Sequence, residues 1–326
     1  MKNVDRILES FHAAKMDHLQ RVAPLLMLDA NETVFFARQL EQIEATIYEH
    51  DIPELKYRSK IPVDNTIDPG ALKATYTMTQ GVGAARFGKG AYGRDLPKSD
   101  IKAEQFSQNI YGCVSSFEYT VDEIRSAAMA NVPLETQKQD SSKRAIMQQE
   151  SAVAMNGDIP TGLEGLIDNP NITSVAAAKT WATATALEIL ADITIMIKTV
   201  RVASKGTRSA DTLLLPIDQY NILATKPLGN DANKTVLKFV MDPGNSFGLV
   251  DVDWLPFELD SAFVSGTKDG AICYQKNPNV LQQRIPLELI IHAVQTVGFT
   301  FIFPVESRHG GTIIRYPHAI MQFTGI

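Results

Sequence analysis

The chain is 326 residues long, 44% apolar and 21% charged, the balance of a folded globular protein rather than a disordered one. Its formal charge of −6, from 31 Lys and Arg against 37 Asp and Glu, excludes a broad basic nucleic-acid-binding face but not a local one. The length suits about two domains of ~150 residues, and the richest apolar run, 186–202, is broken by Glu188, Asp192 and Lys198, so it does not read as a membrane span.

The first residues, Met1-Lys-Asn-Val-Asp-Arg6, lack the apolar core and small-residue cleavage site of a signal peptide. Val4, Ile7, Leu8, Phe11, Leu19 and Val22 recur at near-helical spacing and predict an amphipathic helix within residues 1–28, ended by Pro24. A second helix is expected from Glu32 to His50, with Phe36, Leu40, Ile43 and Ile47 on one stripe and Pro53 beyond it.

Between Pro62 and Cys113 the chain is too long to be a simple loop and too polar to be a core. Its flanks alternate like strands, with Ala74, Tyr76 and Met78 on one side and Thr75, Thr77 and Thr79 on the other. A two-stranded ribbon is marginal alone in water, so another surface must cover it, and a second copy of the chain is the simplest candidate. Arg86, Lys89, Arg94 and Lys98 make this ribbon basic, while Glu118, Asp122, Glu123 and Glu135 follow it, a complementarity that would set register between copies.

Thr120-Val-Asp-Glu123 is a capping box opening a helix from Val121 to Ala130. A longer helix then runs from Pro133 to Asn156-Gly157, where glycine supplies the left-handed exit. At ~1.5 Å per residue it forms a rod of roughly 35 Å. It is polar almost all round, so it suits a strut lying on a sheet with its other faces open or touching neighbours.

A Gly/Asn/Pro-rich connection follows, then a core helix, Trp181 to Val202, carrying Leu187, Leu190, Ile193, Ile197 and Val200. A compact α/β block is expected over 211–270: strand 212–215, helix 217–224, helix 234–241 and strand 249–254. The remainder reads as strands at 271–275, 285–291, 299–305 and 312–316, with Arg308-His-Gly-Gly311 the clearest turn between them.

Few motifs carry chemistry. Gly83-Ala-Ala-Arg-Phe-Gly-Lys-Gly90 approaches the phosphate loop G-x-x-x-x-G-K-[ST], but glycine replaces the hydroxyl that would bind magnesium, and the preceding stretch is polar. Asp251-Val-Asp253 puts two carboxylates on one face of a strand, as a metal site or, in the plainer reading, as an outward strand edge with Val252 and Trp254 inward. The six histidines are scattered; only His309 and His318 stand close enough to meet across a hairpin, and they read as surface or satisfied core residues. Cys113 and Cys273 form no CxxC pair and read as buried small hydrophobes in a reducing compartment. Neither Gly-x-Ser-x-Gly nor His-Glu-x-x-His occurs. The expectation is a non-enzyme with no catalytic residue, metal or cofactor.

The order of segments resembles the major capsid protein of tailed phages, with the Hong Kong 97-type fold also found in encapsulins and the herpesvirus capsid floor. The resemblance spans about residues 33–326. It rests on Phe35-Phe-Ala-Arg-Gln-Leu-Glu41, Gly93-Arg-Asp-Leu-Pro97, Gly162-Leu-Glu-Gly-Leu-Ile167, Asp211-Thr-Leu-Leu-Leu-Pro-Ile-Asp-Gln-Tyr220, Cys273-Tyr-Gln-Lys-Asn-Pro278 and Gly310-Gly-Thr-Ile-Ile-Arg-Tyr-Pro317. The implied fold is α+β. It comprises an N-terminal arm (1–33), a helix leading into the loop (34–61), an extended β-hairpin loop (62–115) and a peripheral domain (116–204) with spine helix 133–156. An axial domain (205–270) and C-terminal peripheral strands (271–326) complete it.

The resemblance implies self-assembly through pentamers and hexamers into an icosahedral shell around double-stranded DNA, without sequence-specific binding and without a membrane. Its implied partners are further copies of the chain together with separate scaffolding, portal and decoration proteins, and its implied place is the virion capsid, assembled in the host bacterial cytoplasm. Arg86, Phe87, Lys89, Tyr92 and Arg94 would form the loop's interface, facing Glu118, Asp122, Glu123 and Glu135 of a neighbour. Non-covalent packing is expected there, although Lys89 stands where some members crosslink. The alternatives are an encapsulin-like compartment and an α/β enzyme using 62–113 as a lid.

Overall fold

Strand β6 (Thr212–Pro216) and strand β10 (Gly270–Tyr274) are buried at every position, which makes them the centre of the fold. The computed structural model describes residues 53–87, 97–130, 134–167, 169–229, 231–245, 247–256, 259 and 269–326. The two helices expected before His50 lie outside them.

The central sheet has the order β5-β16-β10-β6-β9, with β5 Thr173–Ala176, β9 Asp251–Leu255 and β16 Ile320–Thr324. Strand β6 runs parallel to β9 and antiparallel to β10, and β16 runs antiparallel to β10. Alternation assigns each side chain to a layer. Leu213, Leu215, Ala271, Cys273, Met321 and Phe323 meet one core, and Leu214, Leu255, Ile272, Tyr274 and Ile320 meet the other. A sheet covered on both faces explains why Leu213-Leu-Leu215 reads as a continuous apolar run.

The first face is covered by helix α4 (Ala186–Ala203), through Ile189, Ile193, Met196, Ile197 and Val200. This helix starts five residues later than Trp181, because Thr185 forms a capping box: Thr185 Oγ1 accepts from Glu188 N (3.3 Å) and Glu188 Oε2 from Thr185 N (2.8 Å). Leu187, expected in the core stripe, is 73% exposed; it lies about 200° around the helix from Ile189, at ~100° per residue. Trp181 is instead fully buried ahead of the helix, its Nε1 donating to Asp192 at 3.0 Å.

The expected α/β block contains β6, helix α5 (Ile217–Thr225), helix α6 (Val236–Val240) and β9. Helix α6 is shorter than expected, since 231–235 pairs as strand β8 with β7 (Pro227–Leu228), and Thr235 caps the helix by accepting from Lys238 N at 3.4 Å. The block's sheet is completed by β10, β16 and β5 from elsewhere in the chain.

A second layer carries the long helix. Strand β4 (Tyr111–Thr120) pairs antiparallel with β14 (Thr300–His309) over ten residues, and β14 also pairs with β12 (Leu287–Ile291) and β13 (Gln295–Val297). On β4 lies helix α3 (Leu134–Asn156), the expected strut, with Ser142 Oγ donating to Ser115 Oγ at 3.0 Å. It ends at Gly157 (φ 77°), where the 163–167 segment folds back: Leu166 N donates to the Ala154 carbonyl (3.0 Å) and Ile167 N to the Met155 carbonyl (2.7 Å). A Cβ on Gly165 would stand 2.2 Å from Gly157 N, so only glycine permits this approach. Helix α2 (Val121–Ala130) precedes α3, capped by Thr120 as expected.

A small third sheet, β1-β11-β15 (Val63–Asp64, Leu281–Arg284, Thr312–Ile314), lies beside the exit of the ribbon. The expected strand 312–316 stops at Ile314, and the Arg308–Gly311 turn narrows to Gly310-Gly311, since β14 runs through His309. Strands β4, β5, β11, β13 and β16 were not anticipated from the sequence.

Candidate assembly surface

The polar segment after Pro62 forms two strands, β2 (Lys73–Gly83) and β3 (Ser99–Asn109), antiparallel in continuous register over eleven pairs from Lys73↔Asn109 to Gly83↔Ser99. Among the described residues neither strand pairs with any other. Its one buried residue is Ala74, and the Ala74, Tyr76, Met78 side is the less exposed one, as the alternation predicted. Tyr76 stacks on Phe106 with ring centroids 5.4 Å apart. The backbone is satisfied by the ladder; the side chains mostly face water. The strand before Gly83 is exposed rather than buried, so the phosphate-loop resemblance lacks its required context.

Of the expected interface residues, Arg86 and Phe87 are described and exposed, Phe87 completely so. Lys89, Tyr92 and Arg94 lie outside the described residues. On the acidic side, Glu123 is engaged within its own chain: it accepts from Thr120 N (3.0 Å) and pairs with Lys138 Nζ (3.0 Å). These contacts hold its pKa below the ordinary carboxylate value. Asp122 pairs with Arg125 at 3.3 Å in the open, and Glu118 is exposed, its carbonyl accepting from Lys138 at 2.8 Å. Glu135 belongs to α3, but its side chain lies outside the described residues. The fold gathers Glu118, Asp122 and Glu123 around the start of α2, and among the described residues none of them pairs with the ribbon.

Among the described residues, the ribbon is anchored at its foot. Ile110 N donates to the Leu72 carbonyl at 2.9 Å, Arg308 donates to the Pro69 carbonyl, and Arg315 lies over the Tyr76 ring at 5.6 Å. The turn opposite requires glycine: Gly311 has φ 70°, and a Cβ there would meet Gln108 Nε2 and the Glu164 carbonyl, both at 3.1 Å.

Charge clusters elsewhere hold the subunit together. Asp251 and Asp253 do share a face, as expected, but an ammonium rather than a metal sits between them: Lys60 Nζ is 2.8 Å from Asp251 and 2.7 Å from Asp253. Lys56 adds a contact to Asp253 at 2.9 Å and lies 3.6 Å from the centre of the Trp254 ring. Val252 faces the core, whereas Trp254 is only half-buried under that lysine. Both lysines come from the turn of helix α1 (Tyr57–Lys60) and the residue before it, nearly two hundred positions away, with no local sequence signal.

A second cluster centres on Glu150 of α3, which accepts from Tyr57 Oη (2.8 Å) and from Arg58 (3.0 Å). Burial works against its charge, yet the Ser307 hydroxyl, Arg58 and Tyr57 hold its pKa below the ordinary value. Ser307 Oγ and Glu150 Oε1 are both buried, and neither makes a hydrogen bond to a described residue.

The histidines behave as satisfied or surface groups. His309 is buried, accepts from Gly311 N at Nδ1 (2.9 Å) and faces the Gln283 amide at Nε2 (2.7 Å), while His318 packs on Tyr316. His292 pairs with Glu306 at 3.0 Å on the surface, and His12, His18 and His50 lie outside the described residues. Cys273 is buried as expected, its thiol pushed up to about 12 by burial; Cys113 is only half-buried.

A family model described as "Major capsid protein" matches residues 83–326. Among solved structures, the capsid of Myoviridae phage XM1 is 20% identical, with a TM-score of 0.80 over 90% of this chain and 99% of that one. Mycobacterium phage Bobi gives 12% identity and a TM-score of 0.63 over 89% of this chain and 97% of that one. The virus-like particle from Pyrococcus furiosus gives 14% identity and a TM-score of 0.50 over 81% and 90%. No curated protein sequence matches the chain.

Proposed function

We propose a function from one premise: the chain belongs to the major capsid protein family, and it is a structural capsid subunit with the Hong Kong 97-type α+β fold. The expectation of a tailed-phage major capsid protein is thereby met. On this reading the subunit associates as pentamers and hexamers into an icosahedral shell enclosing double-stranded DNA, assembled in a bacterial cytoplasm and retained in the virion. An acidic subunit is compatible with such contents, because the DNA is enclosed rather than bound by sequence.

One observation carries the assembly: a ribbon of eleven paired positions with a single buried residue and no further strand partner among the described residues. Such a ribbon gains stability only against another surface. Within the expected loop 62–115, the β2–β3 ribbon is the part reaching a neighbour, α3 is the spine of the peripheral domain, and 205–270 is the axial domain. Arg86, Phe87, Lys89, Tyr92 and Arg94 supply its contact, with Glu118, Asp122 and Glu135 as the opposing charges; Glu123, held by Lys138, contributes less. Separate scaffolding, portal and decoration proteins complete the assembly.

Negative-stain electron microscopy of the concentrated protein tests this reading. Closed shells or capsomer rings are expected, and a persistent monomer or dimer under all conditions sinks it. Particles filled with protein cargo rather than nucleic acid would favour the encapsulin-like alternative. Deleting Gly81–Gly93 should leave the subunit folded but unable to form shells.

A further inference from the structure

Arg284, the last residue of β11, is 6% exposed, yet among the described residues its guanidinium makes no hydrogen bond or ion pair, and its Nε is fully enclosed without an acceptor. A guanidinium presents five donors and stays charged, so enclosing it unpaired is costly. Burial and the charge of a second cation, Arg315, work against its charge, and the charge of Asp64 offsets them only in part, so that the Arg284 pKa stands lowered.

The described acids nearest to it make no hydrogen bond or ion pair with Arg284, although the charge of Asp64 is felt there. Asp64 pairs with Arg284 in backbone register, but its carboxylate accepts from Thr66 N (3.1 Å) and Thr66 Oγ1 (2.6 Å). Glu164, whose charge is felt at neighbouring Tyr76, accepts from Asn169 at 2.7 Å. Arg315 is also engaged, donating to the Pro278 carbonyl and to Gln282, both at 2.6 Å. Of these described groups, Arg284 is the one whose side chain makes no hydrogen bond.

We propose that Arg284, with Arg315 beside it at the foot of the ribbon, is an anion-binding site that receives a carboxylate side chain from a second copy of this chain. The site's position favours that occupant, because it adjoins the ribbon, the part of the subunit that lacks its own cover. Composition adds to this, with 37 acidic against 31 basic side chains per copy. The contact would lock the ribbon's direction where it leaves the subunit, since Arg284 N and O are hydrogen-bonded to Gly311 O (3.1 Å) and Gly310 N (2.9 Å) in the turn beneath it.

This inference rests on assembly into a shell, and its tests separate from that reading. A high-resolution cryo-electron microscopy map of assembled shells should place an Asp or Glu of a neighbouring copy within hydrogen-bond distance of Arg284. Shells in which Arg284 faces only its own chain or solvent overturn the site and leave the shell reading intact; absence of shells counts against both. Arg284→Met should leave the thermal midpoint of the unassembled subunit unchanged or raised, and should raise the threshold concentration for assembly about tenfold or more, the scale of a truncated charge pair. An unchanged threshold overturns the proposal. Inorganic phosphate that stabilises the unassembled subunit, but not Arg284→Met, would assign the site to a free anion and overturn the second-copy occupant.

Discussion

The β6–β10 pair and the β2–β3 ribbon are both antiparallel and regularly hydrogen-bonded, yet they differ in what surrounds them. Every residue of β6 and β10 is buried, whereas β2 and β3 together bury only Ala74. Ladder hydrogen bonds contribute little net stability in water, because the unfolded chain makes equivalent bonds to solvent. The central pair is therefore stable through what covers it, and the ribbon is stable to the extent that something else does. The two regions divide the work of the chain on the proposed reading: one makes a subunit, the other would join subunits.

The sharpest way to break this contrast is to damage the core alone. Trp181 is fully buried beside α4, and its indole satisfies Asp192, whose pKa burial raises. Trp181→Ala should cost about 3–5 kcal/mol of subunit stability, from lost burial, a cavity and an unpaired carboxylate. Urea unfolding of the unassembled protein measures it. A loss below about 1 kcal/mol would show that this core is not what holds the subunit.

The next effect is pH-dependent and also belongs to the subunit. Burial lowers the His309 pKa from 6.5 to about 4, and its Nδ1 accepts from Gly311 N, so the folded imidazole is neutral with its proton on Nε2, donated to the Gln283 amide when that amide turns its otherwise unpartnered oxygen toward the ring. The unfolded chain binds the extra proton between those values, so stability falls as pH drops through that window and levels off below it. Between pH 7.5 and pH 5 the loss should be about 2 kcal/mol. Unfolding of His309→Gln should show that slope flattened; an unchanged slope assigns the pH dependence to other groups.

The legible parts of the molecule were those written locally. The Thr120–Glu123 capping box, the glycine ending α3 and the alternation of β2 each depend on residues within one turn or strand, and each stands as expected. The misjudged parts depend on distant partners. Leu187 looked like core because its neighbours are, but the stripe that meets the sheet passes through Ile189 and Met196 instead. Strand β11, Leu281-Gln-Gln-Arg284, is too short and polar to announce itself and becomes a strand only between β1 and β15. Asp251 and Asp253 were visible as a pair, but nothing nearby in sequence identified Lys60 as their partner. The candidate interface was half legible: the sequence marked the ribbon as unsupported, while Arg284 carries no pattern and emerges only once its surroundings are enclosed.

The smallest expected effect on the subunit is the most informative about the ribbon. Phe87 is wholly exposed, so its ring contributes no packing within the chain, and Phe87→Ala should change subunit stability by no more than about 0.5 kcal/mol. Burying such a ring against a neighbour would be worth about 2 kcal/mol, so the same variant should raise the threshold for assembly about 30-fold. Light scattering across a concentration series reads the second quantity, and denaturant unfolding of the unassembled protein reads the first. If both stay unchanged, Phe87 is surface decoration and the ribbon's contact lies elsewhere along its length. If the unassembled subunit is destabilised instead, the ribbon tip packs within its own chain, and the division between a self-sufficient sheet and a dependent ribbon fails.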